Sequence, residues 1–183
     1  MTTKIALIAV DVQGDFLPGG SLAVTDGDAV IDPLVAAAAH ADLVIATRDF
    51  HPADHVSFVT NGGTWPPHCV AGSDGAVIHP AIDEIANIVV SKGMTRDRDA
   101  YSGFDGTTLA AILRAADITD VHIGGLATDY CVCATAIDAA AAGFHTTLIS
   151  GAHRAVNIDP GDGDRAIARM RSAGVNIGDA LPG

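Results

Sequence analysis

Short strand-length segments rich in apolar residues alternate along the chain with longer stretches in which apolar residues return every three or four positions. Residues 5–10 are an unbroken apolar run, which predicts a strand buried on both faces. Residues 43–47, 85–90, 121–124 and 145–150 predict four further strands. Residues 28–40, 107–116, 128–142 and 164–173 carry Ala, Leu, Ile and Met at helical spacing and predict helices, and residues 175–177 predict a short last strand. Strands alternating with helices predict an α/β protein, a three-layer α/β/α Rossmann-like sandwich on a mainly parallel six-stranded sheet. Right-handed crossovers give the strand order 3-2-1-4-5-6, which reverses direction between strands 1 and 4. One stretch, from Asp49 to about Pro80, shows no periodic element, yet it holds His51, His55, Trp65, His68, Cys69 and His79. A loop of that length inside a compact domain usually carries function.

Composition narrows the class. At 183 residues, with no repeat and no linker-like segment, residues 1–183 are expected to form one domain. Apolar residues make up 49% of the chain, which excludes a disordered protein. No apolar run approaches the roughly 18 residues a membrane span requires. The first residues lead straight into a strand without a signal-peptide pattern, so a cytoplasmic protein with no membrane partner is expected. A net charge of −12, spread along the chain, argues against nucleic acid as a partner. The three cysteines, Cys69, Cys131 and Cys133, are odd in number and argue against a disulfide framework. Cys131 and Cys133 stand two apart, where helical neighbours face different ways.

Three reactive residues fall where strands should end. Cys131 follows the fourth strand and opens a helix, and a helix N-terminus favours a thiolate over a thiol. Asp11 and Lys92 follow the first and third strand segments, although Lys92, coming after strand 3, would need loop geometry to join the other two. Such residues are singly often inert: a buried small hydrophobe, a helix cap, a solvated cation. Together at the ends of one sheet they suggest thiol chemistry on an amide, with Asp11 moving the proton, Lys92 favouring the charged sulfur, and backbone amides holding an oxyanion. Asp49 and His51 share one face of an extended segment. With His68, fixed by Pro66 and Pro67, they form a donor set suited to Zn, Mn or Fe. Cys69 is read as a buried structural thiol, and a polar lid without metal is the alternative for the loop.

The segments 9–16, 19–24, 47–52, 65–70, 92–93, 101–104 and 125–132 together resemble the nicotinamidase/pyrazinamidase group of the isochorismatase-like cysteine hydrolase superfamily. The resemblance covers essentially the whole chain. It implies a catalytic triad of Asp11, Lys92 and Cys131, and a single divalent ion (Zn, Fe or Mn) on Asp49, His51 and His68. His55 aligns with a histidine that ligates in only some members, and its loop is two residues shorter here. The resemblance also implies a cis Leu126–Ala127 bond, an oxyanion hole from the amides of Ala127 and Cys131, and a pyridine pocket of Phe16, Trp65 and Tyr101 with Tyr130 behind them. The implied reaction converts nicotinamide, the small-molecule partner, to nicotinic acid and ammonia in NAD salvage through a Cys131 thioester, with pyrazinamide as a further substrate. A homo-oligomer is left open. The charged residues 94–99 depart from the pattern and bear on the pocket rim. The competing readings are another small-amide hydrolase of the superfamily, a metal-water hydrolase with a bystander thiol, and a non-catalytic metal-binding protein.

Overall fold

The computed structural model describes residues 3–179. Six strands, β1 (Ile5–Val10), β2 (Leu43–Asp49), β3 (Ile88–Lys92), β4 (Asp120–Leu126), β5 (His145–Arg154) and β6 (Asn176–Gly178), form one sheet in the order β3-β2-β1-β4-β5-β6. Every pairing is parallel. The sheet reverses its order of growth between β1 and β4, where an open α/β sheet opens a crevice at the carboxyl ends of its strands.

Helices cover both faces, because every central strand is apolar on both. On β1, Ala6, Ile8 and Val10 join a core with Leu109 and Leu113 of α3 (Leu109–Ala115), Ala136 of α4 (Cys133–Ala141) and Met170 of α5 (Asp162–Ser172). Leu7 and Ala9 face the other way, toward Leu34 of α1 (Ile31–Ala38) and Ile82 of α2 (Pro80–Ile85).

Two expectations are corrected here. Helix α2 begins where the stretch that shows no period ends and is not among the expected helices; its six residues are too few for a 3.6-residue repeat to register. Pro80 starts it and the His79 side chain accepts a hydrogen bond from Ala81 N. The apolar run 85–90 is divided accordingly. Ile85 ends α2, and Asn87 pairs with Val44 through both its backbone and its side chain before β3 begins at Ile88. Strands β4 and β5 run further than their apolar cores, with a register shift between Ile123 and Gly125. Gly125 has φ 123°, and a Cβ there would lie 2.1 Å from the Val10 carbonyl oxygen, so only glycine lets β4 approach β1 at this point.

Candidate active site

The carboxyl ends of β3, β2, β1 and β4, four neighbours in the sheet, deliver Lys92, Asp49, Asp11 and Cys131 to one place. Asp11 directly follows β1 with φ 50°, a left-handed conformation sparsely used outside glycine. Its Oδ1 accepts a 2.6 Å hydrogen bond from Thr47 Oγ1. Lys92 is the last residue of β3, paired in register with Asp49. It needs no loop to reach the other groups, because its fully buried side chain extends past β2. Lys92 Nζ lies 2.5 Å from Asp49 Oδ1, 2.9 Å from Asp11 Oδ2, 3.4 Å from Cys131 Sγ and 3.2 Å from the Ala100 carbonyl oxygen. The Asp11 Oδ2 contact is an ion pair without hydrogen-bond alignment, so that buried oxygen has an acceptor site to spare. Asp11, Asp49 and Cys131 each bring an acceptor or thiol atom within 4.8 Å of the others.

Cys131 sits in a wide π-helical turn, Thr128–Val132, that leads into α4. The peptide bond Leu126–Ala127 before it is cis. The expected preformed thiolate is not what this enclosure favours. Burial pushes the Cys131 thiol well above its ordinary pKa, with Lys92 working against the shift and Asp11 and Asp49 adding to it. Burial also raises Asp11, against Lys92 and with Asp49. Burial opposes ionisation of Asp49 and Lys92 too, but there the attraction between them wins, holding the carboxyl below and the ammonium above their usual ranges. Asp49 and Lys92 are thus held as an ion pair, while burial disfavours the charged forms of Cys131 and Asp11.

Asp49 carries its second oxygen toward two histidines. Oδ2 lies 3.6 Å from His51 Nε2, and Asp49, His51 and His68 place ligand atoms within 4.8 Å of one another. Nδ1 of His51 meets the Gly93 carbonyl at 2.8 Å, and Nδ1 of His68 meets the Pro66 carbonyl at 2.8 Å. A carbonyl only accepts, so both Nδ1 atoms carry the hydrogen and both Nε2 lone pairs are free. Neutral imidazoles oriented by backbone carbonyls beside a carboxylate fit a divalent transition-metal ion. Gly93 is required for this: its φ is 62°, and a Cβ would lie 2.4 Å from His51 Cε1.

His55 is arranged differently. Its Nε2 donates to the Arg98 carbonyl at 3.1 Å and its Nδ1 accepts from Ser57 Oγ at 2.7 Å, so both nitrogens have partners within the chain. Its ring instead stacks on His51, with centroids 4.1 Å apart. Cys69 is fully buried, with its thiol pKa raised by burial, and its backbone N donates to Asp15 Oδ2.

Between the sulfur and the histidines opens a cleft of about 470 Å³ including its open mouth. Phe16, Trp65, Tyr101 and Tyr130 line it, as do Ala127 and Cys131. Trp65 Nε1 donates to Tyr101 Oη at 3.0 Å, and the Trp65 and Tyr130 rings meet edge to face. Two contributors are absent from the sequence reading. Gln13 donates to the carbonyls of Asp49 and Ala76 and accepts from Asp49 N, clamping the end of β2. Thr47 holds Asp11. Asp99, in the charged stretch 94–99 expected at the pocket rim, joins the cleft wall. Thr47 stands two residues before Asp49 on the same strand, a spacing that puts both on one face and could have drawn attention to it.

Comparison with known proteins agrees with this architecture. The nicotinamidase/pyrazinamidase of Mycobacterium tuberculosis is 42% identical, covering 94% of this chain and 97% of its own. The nicotinamidase of Escherichia coli is 36% identical, covering 94% and 93%. Among solved structures, the pyrazinamidase of Pyrococcus horikoshii in complex with zinc superposes with a TM-score of 0.90 at 43% identity, covering 96% of this chain and 99% of that one. PnC1 from L. infantum, in complex with nicotinate, gives a TM-score of 0.90 at 40% identity, covering 96% and 92%. The Isochorismatase domain family matches residues 5–180, and the chain belongs to that family.

Proposed function

We propose that this protein is a metal-dependent cysteine amidohydrolase that converts nicotinamide to nicotinic acid and ammonia and also accepts pyrazinamide. The observation that carries the reading is the buried ammonium of Lys92 held among Asp11, Asp49 and Cys131 at the floor of an aromatic cleft. The full-length similarity to nicotinamidases and pyrazinamidases supports the substrate class. In this reading residues 1–183 are a single catalytic domain of a cytoplasmic enzyme in NAD salvage. Among the described residues no helix is long and apolar enough to cross a membrane.

Asp49, His51 and His68 are the groups that would hold one divalent ion, zinc, iron or manganese. When bound, such an ion supplies a Lewis-acid contact for the aromatic nitrogen of the substrate. Phe16, Trp65 and Tyr101 pack the ring, with Tyr130 as the outer wall, and aim the carboxamide at Cys131.

The chemistry then belongs to the chain's own groups. Asp11 takes the thiol proton of Cys131 while Lys92 stabilises the sulfur as it becomes anionic, which offsets the burial that otherwise keeps it neutral. Sγ attacks the amide carbon, and the amides of Ala127 and Cys131 receive the oxyanion. Asp11 returns its proton to the leaving nitrogen, the C–N bond breaks, and ammonia departs from a thioester. Asp11 next deprotonates a water that attacks the thioester carbon. The C–S bond breaks, nicotinic acid leaves and the thiol regains its proton.

The test is ammonia release from nicotinamide by metal-loaded protein, by a chelated sample, by a thiol-alkylated sample and by Cys131→Ala. Turnover should vanish in the last three, while Cys131→Ala keeps the metal content of the wild type. Turnover surviving in Cys131→Ala would refute the thioester route, and no turnover by the loaded wild type would refute the amidase reading.

A further inference from the structure

Residues 94–99 form a strap fastened over the loop that carries His51 and His55. Val56 N donates to the Arg96 carbonyl at 2.9 Å, and His55 Nε2 donates to the Arg98 carbonyl. The two arginines are both engaged: Arg96 pairs with Asp54 and Asp97, and Arg98 with Asp105. Asp99 has no cationic side chain within ion-pair distance among the described residues. It is half-buried and lines the cleft, and Oδ1 accepts a 2.9 Å hydrogen bond from Ala100 N. Asp99, His51 and His55 bring ligand atoms within 4.8 Å of one another.

The charge balance gives this carboxylate a role. Asp49 is the only carboxylate among Asp49, His51 and His68, and it is paired at 2.5 Å with Lys92, which it shares with Asp11. Two imidazoles and a carboxylate paired with Lys92 offer a dication less negative charge than an unpaired Asp49 would. A further carboxylate beside His51, with no cation of its own, supplies that charge, in a partly enclosed cleft where water screens it less than at an open surface. His55, with both nitrogens engaged, cannot substitute for it.

We propose that Asp99 is a positioning carboxylate of the metal centre, supplying the negative charge that Lys92 cancels at Asp49 and thereby setting the affinity of the site for a divalent ion. The role rests on the metal-dependent reading above but is tested apart from turnover.

The experiment is a zinc titration of stripped protein in competition with a chromophoric chelator, for the wild type and for Asp99→Asn, Asp99→Glu and Asp97→Asn. Asp99→Asn keeps an oxygen to accept from Ala100 N, so the strap is preserved. It should weaken zinc binding about 10- to 100-fold, the range seen when groups supporting metal ligands are removed. Asp99→Glu should retain most of the affinity, and Asp97→Asn, on the exposed part of the strap, should match the wild type. Wild-type affinity in Asp99→Asn, or equal losses in Asn and Glu, would overturn the proposal. A wild type that binds no zinc would overturn the metal centre and this role together. A wild type that binds zinc but leaves nicotinamide intact would overturn the amidase reading alone, and Asp99 would still be judged by its zinc affinities.

Discussion

Replacing Lys92 with Met isolates what the buried charge does for the fold. The ammonium is fully enclosed, 2.5 Å from Asp49 and 2.9 Å from Asp11. Met retains most of the apolar stem, so the cavity cost is small and the main effect is two buried carboxylates without a counter-charge. Breaking a buried ion pair from one side costs about 3–5 kcal/mol, a large share of the roughly 5–15 kcal/mol that holds a domain together. With a urea m-value of about 2 kcal/mol per molar, the unfolding midpoint should fall by roughly 1.5–2.5 M. The measurement is urea denaturation at pH 7 in chelator, so that no ion stands in for the lost cation. Lys92 holds the Asp49 carboxyl below its ordinary pKa, so its contribution is present above the unfolded pKa and fades as pH drops through the folded one. The deficit of the variant should accordingly be greatest near neutrality and shrink in acid. Adding Asp11→Asn to Lys92→Met removes one of the stranded charges and should return part of the loss, a coupling that a double-mutant cycle reads directly. A midpoint change equivalent to less than about 1 kcal/mol, the level of an exposed pair, or no recovery in the double variant, would refute this account of the buried triplet.

Two further predictions follow from single contacts. Gly93→Ala sets a Cβ against the His51 ring at a positive φ; it should lower zinc affinity in the chelator competition and destabilise the protein by about 1–3 kcal/mol, and an unchanged affinity would mean that the Gly93 carbonyl does not orient His51. Trp65→Phe removes the Nε1 donor to Tyr101 Oη but keeps an aromatic wall; KM for nicotinamide should rise a few-fold with kcat nearly unchanged, whereas a collapse of kcat would place Trp65 closer to the reacting bond than the pocket geometry does.

Much of this site is legible along the chain, for identifiable reasons. Asp11, Lys92 and Cys131 stand out because each terminates an apolar run, and a parallel sheet gathers strand ends on one side. Asp49 and His51 stand out because alternate residues of an extended segment share a face. The strand order likewise follows from alternation and crossover handedness, and the sheet has that order. What escaped the sequence depends on distance and enclosure. The charge state of Cys131 is governed by burial from several directions, which a helix N-terminus alone does not reveal. The reach of Lys92 past β2 is a property of a long side chain in a particular register. His55 is withheld by Ser57 and by a backbone carbonyl 43 residues away. Gln13 acts through the backbone of Asp49, and such a clamp leaves no local pattern.

The four strand ends that make the site also fix how it comes into being. Its contacts join residues 36, 39 and 43 positions apart, and the segment carrying Cys131 lies beyond three crossovers from Asp11. No hairpin, fragment or half of the molecule contains all of these groups, so the chain gains nothing catalytically until the last of the four strands is seated. Closing such distant contacts is the slow part of building a parallel sheet. Recovery of turnover during refolding should therefore trail the return of helical signal, and enzymatic activity becomes an all-or-none clock for completion of the sheet.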